Sequence, residues 1–127
     1  MKTGIFGAVL MIAASVSAGA GVIDDLQDRY RSEGATAFSE VRGLALWRMQ
    51  GAEGRTCATC HGQDLYQVGE HKTTRKQISP MALSANASRY TDAAKVEKWF
   101  QRNCKWTWGR ECNAQEKGDL LQYLGNL

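Results

Sequence analysis

The sequence predicts a single all-α domain. The 127 residues include one proline and 43% hydrophobic residues, a composition that suits one compact domain and leaves little room for a second. Apolar residues recur at helical spacing toward both ends of the chain, whereas residues 51–88 show no sustained helical or strand period. The formal net charge of +3 gives no indication of nucleic-acid binding.

The first twenty residues are typical of a secretory signal peptide. Lys2 precedes an apolar run, Ile5 to Val16, and small residues follow at positions 17–20. The run is about a dozen residues, whereas a membrane-spanning helix needs about 20. We therefore expect cleavage near Ala18 or Ala20, a mature domain over residues 21–127, and no membrane anchor after cleavage.

Two helices are predicted in the first part of the mature domain. One covers residues 22–31, and the other covers about 35–49 and includes Gly43, which would permit close contact with another helix. Their apolar faces carry Ile23, Leu26 and Tyr30 in the first helix, and Phe38, Val41, Leu44 and Ala45 in the second.

Two further helices are predicted after the long central loop. One opens at Thr91-Asp92 and the last begins at Asn113, a favourable N-cap that Glu116 would complete as a capping box. Their apolar faces carry Val96, Trp99 and Phe100 in the first, and Leu120, Leu121 and Leu124 in the second. Helices at both ends of a chain with a loop-rich middle need additional apolar material in their core, which a bulky cofactor would supply.

The central loop contains the motif Cys57-Ala58-Thr59-Cys60-His61. Cys-x-x-Cys-His is the attachment signature of c-type haem: the two thiols form thioethers to the vinyl groups, and the histidine ligates iron. A zinc module would need a second closely spaced pair, and Cys104 and Cys112 are too far apart to provide it. A redox dithiol would need a strand–helix–strand context, which we do not find. The motif therefore predicts one covalently attached haem c held by Cys57, Cys60 and His61.

Three residues are candidates for the iron position opposite His61. Met81 would give an ordinary electron carrier, or would simply pack in its loop. His71 lies in a basic stretch that could contact an acidic partner or a haem propionate but is more often a solvated loop; its cations are Lys72, Arg75 and Lys76. Asn103 places an amide on the apolar stripe of the third helix, where it would need a partner unless it caps the end of that helix. The residues alone leave this choice open.

Several segments resemble the sphaeroides haem protein family, beyond the haem motif that they share. The residues concerned are VEKWFQRNC at 96–104, GREC at 109–112 and EKGDLL at 116–121, together with Ile78-Ser79-Pro80, Ser84 and Arg89-Tyr90-Thr91-Asp92. The similarity extends over most of the mature chain and is densest over residues 78–124. An asparagine followed by a cysteine at the end of a helix is its most specific feature.

The resemblance implies a monohaem cytochrome c fold, with helices packed around one haem, and a distal ligand at Asn103. It also implies a disulfide between Cys104 and Cys112, which would hold Trp106 and Trp108 in a braced loop. In the family the asparagine leaves the iron on reduction and opens a site for oxygen, nitric oxide and similar ligands. An amide oxygen is a hard donor that suits ferric iron better than ferrous iron, so reduction should loosen it.

The expected function is electron transfer in the periplasm combined with binding of a small diatomic ligand. The resemblance implies a redox partner protein, such as a dihaem cytochrome c. One alternative is a plain electron carrier with His61 and Met81 as axial ligands. Another is an enzyme that acts on a bound ligand such as nitric oxide or peroxide, although no distal histidine or obvious acid–base group marks one. We therefore predict no catalytic residue and expect ligand binding rather than catalysis.

Overall fold

A computed structural model describes residues 11, 13–15 and 17–127, and these residues are mostly helical. They form five α-helices, two 3₁₀ turns and one two-stranded antiparallel hairpin. The helices are α1 (Ala18–Ser32), α2 (Glu40–Arg48), α3 (Ala58–His61), α4 (Ala93–Trp108) and α5 (Ala114–Gly125); the turns are Ala52–Gly54 and Leu83–Ala85; the strands are β1 (Gly69–Glu70) and β2 (Gln77–Ile78). The predicted all-α class is confirmed.

Most of the predicted signal peptide lies outside the described residues, so the cleavage site stays a prediction. Its last described residues already belong to the folded chain, because α1 begins at Ala18 with Ser17 as its N-cap. Among the described residues, no helix has both the length and the apolar character needed to cross a membrane.

The core is built around α5, which packs against both α1 and α2. Leu120, Leu121 and Leu124 of α5 are buried, as the sequence predicts, and they belong to the same core cluster as Leu26 and Tyr30 of α1. Burying leucine-sized side chains contributes roughly 1.5–3 kcal/mol each relative to exposure. The packing of the helices at the two ends of the chain therefore stabilises the domain that carries the central loop.

Two glycines allow α5 and the α2 segment to approach closely. A β-carbon at Gly43 would lie 2.1 Å from the carbonyl oxygen of Asp119, and one at Gly118 would lie 2.0 Å from Cε1 of Phe38. Both distances are far below van der Waals contact, so only glycine fits at either position without displacing its neighbour. The close helix contact predicted for Gly43 is confirmed.

The second helix begins at Glu40, later than the predicted start near residue 35. Ser39 is its N-cap, with its hydroxyl accepting from the backbone N–H of Arg42 at 3.2 Å, and its own N–H donates to Oδ1 of Asp119 at 2.7 Å. The chain is therefore extended at Ser39. The predicted apolar face is wrong at Val41, which is 78% exposed, and at Ala45, which is also exposed, because Gly43 and Trp47 are the residues of α2 that face inward.

Helix α4, the third of the predicted helices, begins as predicted but continues beyond Asn103 and Cys104, where the resemblance places the end of the helix. Asp92 caps it by accepting from the N–H of Lys95 at 3.0 Å, and the helix runs to Trp108. Gly109 ends it in the left-handed conformation, with φ of 72°, which glycine adopts without steric cost. Asn103 is therefore inside the helix and does not cap it, and Trp106 and Trp108 are helical rather than in a loop.

The last helix begins with the predicted capping box. The side chain of Asn113 accepts from the N–H of Glu116 at 2.9 Å, and the N–H of Asn113 donates to Oε2 of Glu116 at 3.0 Å. Two backbone donors at the helix start are thus satisfied, an arrangement that fixes the point at which the chain enters α5.

Candidate functional site

The single turn of α3 carries the Cys-x-x-Cys-His motif. The N–H groups of Cys60 and His61 both donate to the carbonyl of Cys57, at 3.4 and 3.2 Å, and Gly62 ends the turn with φ of 78°. Residues three and four apart share one side of a helix, so the two thiols and the imidazole project from one side of the same turn. Both thiols are free.

The hairpin formed by β1 and β2 packs directly on this turn. A β-carbon at Gly69 would lie 2.5 Å from the carbonyl oxygen of Cys60 and 2.8 Å from Cα of His61. The backbone N–H of Lys72 also approaches the sulfur of Cys60, at 3.4 Å. Any side chain at Gly69 would push the hairpin off α3, so this glycine positions the motif.

The environment of His61 keeps its imidazole neutral. Burial lowers its pKa to about 4, and the positive charge of Arg89 acts in the same direction. The ring centroid of Trp47 lies 5.4 Å from that of His61. Nδ1 of His61 is buried and has no hydrogen-bond partner among the described residues, and a neutral imidazole is the form that ligates metals.

The environment of Cys57 argues against a redox dithiol. Burial raises the pKa of its thiol to about 11, and the neighbouring Cys60 adds to the effect. A redox-active cysteine needs a thiolate, and therefore a lowered pKa. A neutral imidazole and two free thiols on one turn instead fit a covalently held haem, which would be attached by Cys57 and Cys60 and ligated by His61. When bound, haem supplies reversible one-electron chemistry at iron.

Met81 lies in a loop whose backbone is clamped on both sides. Its N–H donates to the carbonyl of Leu65 at 3.0 Å, and its own carbonyl accepts from the hydroxyl of Tyr90 at 2.6 Å. Tyr90 has a φ of 60°, a strained conformation for a non-glycine residue. The half-buried side chain of Met81 packs against the core, so the structure gives Met81 a packing role.

His71 is engaged in its own turn. Its Nδ1 accepts from the backbone N–H groups of Thr73 and Thr74, at 3.2 and 3.1 Å. These bonds close the loop that joins β1 to β2. The ring nitrogen therefore stabilises the hairpin tip.

Asn103 lies at the surface of α4, not buried on an apolar stripe as the sequence suggested. Its side chain is exposed and makes no hydrogen bond to any described residue. Val96 and Phe100 pack against the core, whereas Trp99 is 47% exposed. The amide of Asn103 is thus accessible and not committed to a backbone group.

The end of α4 packs on the segment that leads into the haem motif. The indole N–H of Trp108 donates to the carbonyl of Met49 at 3.4 Å, and a β-carbon at Gly51 would lie 2.0 Å from the carbonyl oxygen of Thr107. The guanidinium of Arg55 lies 4.5 Å from the ring centroid of Trp106. The helix that carries Asn103 and the segment before Cys57 are therefore held against each other.

Cys104 and Cys112 lie in disulfide geometry at the end of α4. Their Cα atoms are 5.7 Å apart and both residues are buried, within the separation that a disulfide requires. Cys104 directly follows Asn103 in α4, and Cys112 directly precedes Asn113, the N-cap of α5. This pair therefore connects the last turns of α4 to the start of α5.

Comparison with known proteins places the chain in a family. A family model described as a domain of unknown function, DUF1924, matches residues 33–124. The chain is 45% identical over 95 residues to cytochrome c-type protein SHP of Cereibacter sphaeroides, and the match covers 72% of each chain. The chain belongs to the sphaeroides haem protein family. Its relative SHP is a c-type cytochrome, which agrees with the free thiols and the neutral imidazole of α3.

Solved structures of relatives confirm the helical cytochrome fold. A structure of oxidised SHP, described as an oxygen-binding cytochrome c, matches with a TM-score of 0.76 at 38% identity over 83% of this chain and 96% of that one. Oxidised cytochrome c'' of Methylophilus methylotrophus matches with a TM-score of 0.70 at 27% identity, over 87% and 95% of the two chains. A solution structure of the same cytochrome c'' (TM-score 0.66, 28% identity, covering 87% and 94%) concerns the structural basis of haem-ligand detachment.

The structure adds three positioning residues that the sequence did not reveal. Trp47 lies one helical turn after Gly43, so it could have been identified by continuing the apolar face of the predicted helix through that glycine. Gly69 lies in the two-residue strand β1, and nothing local in the sequence marks it. The positive φ of Tyr90 has no sequence signal, because tyrosine rarely adopts that conformation.

Proposed function

We propose that this chain is a periplasmic haem protein that exchanges electrons and binds a small diatomic ligand. One haem would be attached by Cys57 and Cys60, with His61 as the proximal ligand and Asn103 as the distal ligand. The amide of Asn103 would leave on reduction, so that oxygen, nitric oxide or a similar molecule takes its place. The accessible, uncommitted amide of Asn103 is the observation that carries this proposal.

The position of Asn103 within α4 favours it over Met81. An asparagine at the C-cap would use its amide in hydrogen bonds to backbone groups, but Gly109 is the C-cap of this helix. The side chain of Met81 is already packed against the core, and its backbone is held by Leu65 and Tyr90. Asn103 is thus the candidate whose donor atom has no competing structural role.

A weak, hard donor on a firmly held helix suits a ligand that detaches. The amide oxygen favours ferric iron and loses affinity when the iron becomes ferrous. The end of α4 is held by the contacts of Trp108 and Thr107 and, in the proposal, by a disulfide between Cys104 and Cys112. Rotation of one side chain then suffices for detachment, and α4 stays folded.

Descriptions of the relatives support the same behaviour. SHP is described as binding oxygen, and cytochrome c'' as undergoing haem-ligand detachment. The electron donor or acceptor would be another redox protein, for example a dihaem cytochrome c. Export by the N-terminal signal would place both proteins in the periplasm, where free cysteines can be joined to haem and to each other.

Ferric spectra of three proteins test the assignment of the distal ligand. Asn103→Ala should change the spin state of the oxidised protein, because it removes the ligand, whereas Met81→Leu preserves volume and should leave the spectrum unchanged. A sulfur-to-iron charge-transfer band in the near infrared that Met81→Leu abolishes and Asn103→Ala retains would instead establish a plain His61/Met81 electron carrier.

A further inference from the structure

The outer face of α4 carries a row of cations. Lys95, Lys98, Arg102 and Lys105 recur at intervals of three, four and three residues, and all four are exposed. Residues at this spacing lie on one side of a helix. The opposite side of α4 bears Cys104 and Thr107, which are buried. The cations therefore form a continuous stripe that faces away from the body of the domain.

Three of these cations have no ionic partner in the described part of the chain. Lys105 pairs with Glu111 at 3.0 Å, but Lys95, Lys98 and Arg102 form no ion pair there. Arg102 instead lies 5.4 Å from the ring centroid of Trp99. We call Lys95, Lys98 and Arg102 the basic face of α4.

Two acidic residues, Asp92 and Glu97, lie close to the basic face of α4. Glu97, the one acidic residue of α4, is turned inward, where it accepts from Lys117 at 2.8 Å and pairs with Arg29 of α1. The carboxylate of Asp92 accepts from the backbone N–H of Lys95 as the N-cap. Asp92 keeps its negative charge and lies beside Lys95, Lys98 and Arg102, so the basic face has three cations against one carboxylate and a net positive charge.

This positive charge is local and does not reflect a uniformly basic protein. The formal net charge of the whole chain is only +3, and α1 exposes three carboxylates, at Asp24, Asp25 and Asp28. A cation cluster on one side of a nearly neutral protein orients an oppositely charged partner before contact and accelerates association by 10- to 1,000-fold in typical cases. Charge complementarity therefore points to an acidic partner.

We propose that the basic face of α4 is the docking surface for the acidic face of an electron-transfer protein. The inference rests on the proposed function, since α4 is the helix that carries Asn103. On docking, one electron passes from the reduced partner, which is oxidised by one electron, to the ferric protein, which becomes ferrous. The same event triggers release of Asn103, so docking on α4 couples electron delivery to ligand entry.

The tip of the β1–β2 hairpin is the competing basic site. It exposes Lys72, Arg75 and Lys76, but Arg75 is paired with Glu70 at 3.0 Å. The two remaining lysines carry the same charge as Lys95 and Lys98 and are also exposed. They provide a matched control, because neutralising either pair changes the net charge of the protein by the same amount.

Stopped-flow reduction of the oxidised holoprotein by a flavodoxin hydroquinone, a small acidic one-electron donor, tests the docking surface. At an ionic strength of about 10 mM, where the Debye length is about 30 Å, Lys95→Gln/Lys98→Gln should lower the second-order rate constant roughly tenfold and flatten its dependence on salt. Lys72→Gln/Lys76→Gln should change it less than about twofold. An unchanged rate for the α4 variant, or a larger loss for the hairpin variant, overturns the proposal.

Two further measurements separate the remaining outcomes. Binding of carbon monoxide by the reduced proteins reports on the proposed function. If the variants bind carbon monoxide normally and the rate of reduction by flavodoxin is unchanged, the docking surface alone is refuted. If the unmodified protein does not bind carbon monoxide, the proposed function is refuted. The second measurement is co-sedimentation with vesicles rich in phosphatidylglycerol. If the unmodified protein sediments with the vesicles and Lys95→Gln/Lys98→Gln does not, the basic face binds a membrane surface and the redox-partner proposal is overturned.

Discussion

The contact between α2 and α5 provides a quantitative test of the fold around the site. Gly43→Ala adds one methyl group at a position where the ideal β-carbon would lie 2.1 Å from the carbonyl oxygen of Asp119 and 2.6 Å from Cβ of Tyr123. The nearer neighbour is backbone, so no side-chain rotation can relieve the clash. The helices must separate by more than 1 Å to restore an ordinary contact of about 3.5 Å.

The cost of that separation follows from the behaviour of overpacked cores. Inserting one methyl group into a closely packed contact destabilises a protein by about 1–3 kcal/mol. Alanine is also a better helix former than glycine by roughly 1 kcal/mol, which offsets part of this cost. Because the clash at Gly43 is with backbone, its cost lies near the upper end of that range, about 3 kcal/mol, and we expect a net loss of about 2 kcal/mol in the free energy of unfolding.

Guanidinium unfolding of the holoprotein, followed by far-ultraviolet circular dichroism, measures this loss. Val41→Ala is the control, because Val41 is on the same helix but 78% exposed, and its stability should stay within about 0.5 kcal/mol of the unmodified protein. If Gly43→Ala is as stable as the unmodified protein or more stable, the close approach of α2 and α5 is wrong.

Two other predictions concern the ends of α4. Although partial burial alone would raise the pKa of Glu97, hydrogen bonds from Lys117 and Tyr30 outweigh it and hold that pKa below its usual value. The ionised carboxylate of Glu97 therefore stabilises the folded protein above about pH 4.3, and this stabilisation is lost as the pH falls through the pKa of the folded state. The urea midpoints of Glu97→Gln and the unmodified protein should differ at neutral pH and converge in acid. A difference that stays constant with pH would contradict this role of Glu97. Cys104→Ser/Cys112→Ser opens a nine-residue loop and should lower the free energy of unfolding by about 2.6 kcal/mol in the chain-entropy model. A decrease below about 1 kcal/mol, measured by guanidinium unfolding, would show that no disulfide holds the end of α4.

The sequence predicted helices well where local signals decided them. Asp92 and Asn113 cap α4 and α5 through bonds to residues three positions on, so a short window of sequence contains the whole interaction. The start of α2 depends instead on Ser39 donating to Asp119, eighty positions away. No local pattern contains that bond, and the predicted start was therefore several residues too early.

The candidate site shows the same division. Cys57, Cys60 and His61 are adjacent in sequence, and their chemistry follows from the motif alone. Gly69 and Trp47 act through contacts with α3 that exist only in the folded chain. The end of α4 was misplaced for a related reason: the apolar stripe ends near Asn103, but the helix continues until Gly109 offers a residue that adopts positive φ.

We expect the distal position of the haem to open when the iron is reduced. The absorption spectrum of the reduced protein, recorded before and after addition of carbon monoxide, measures this opening. We expect a five-coordinate, high-spin ferrous spectrum that converts promptly to a carbon monoxide adduct, in the unmodified protein and in Asn103→Ala alike, because the amide has already left. A low-spin, six-coordinate reduced protein that does not bind carbon monoxide would show that Asn103 is not released on reduction.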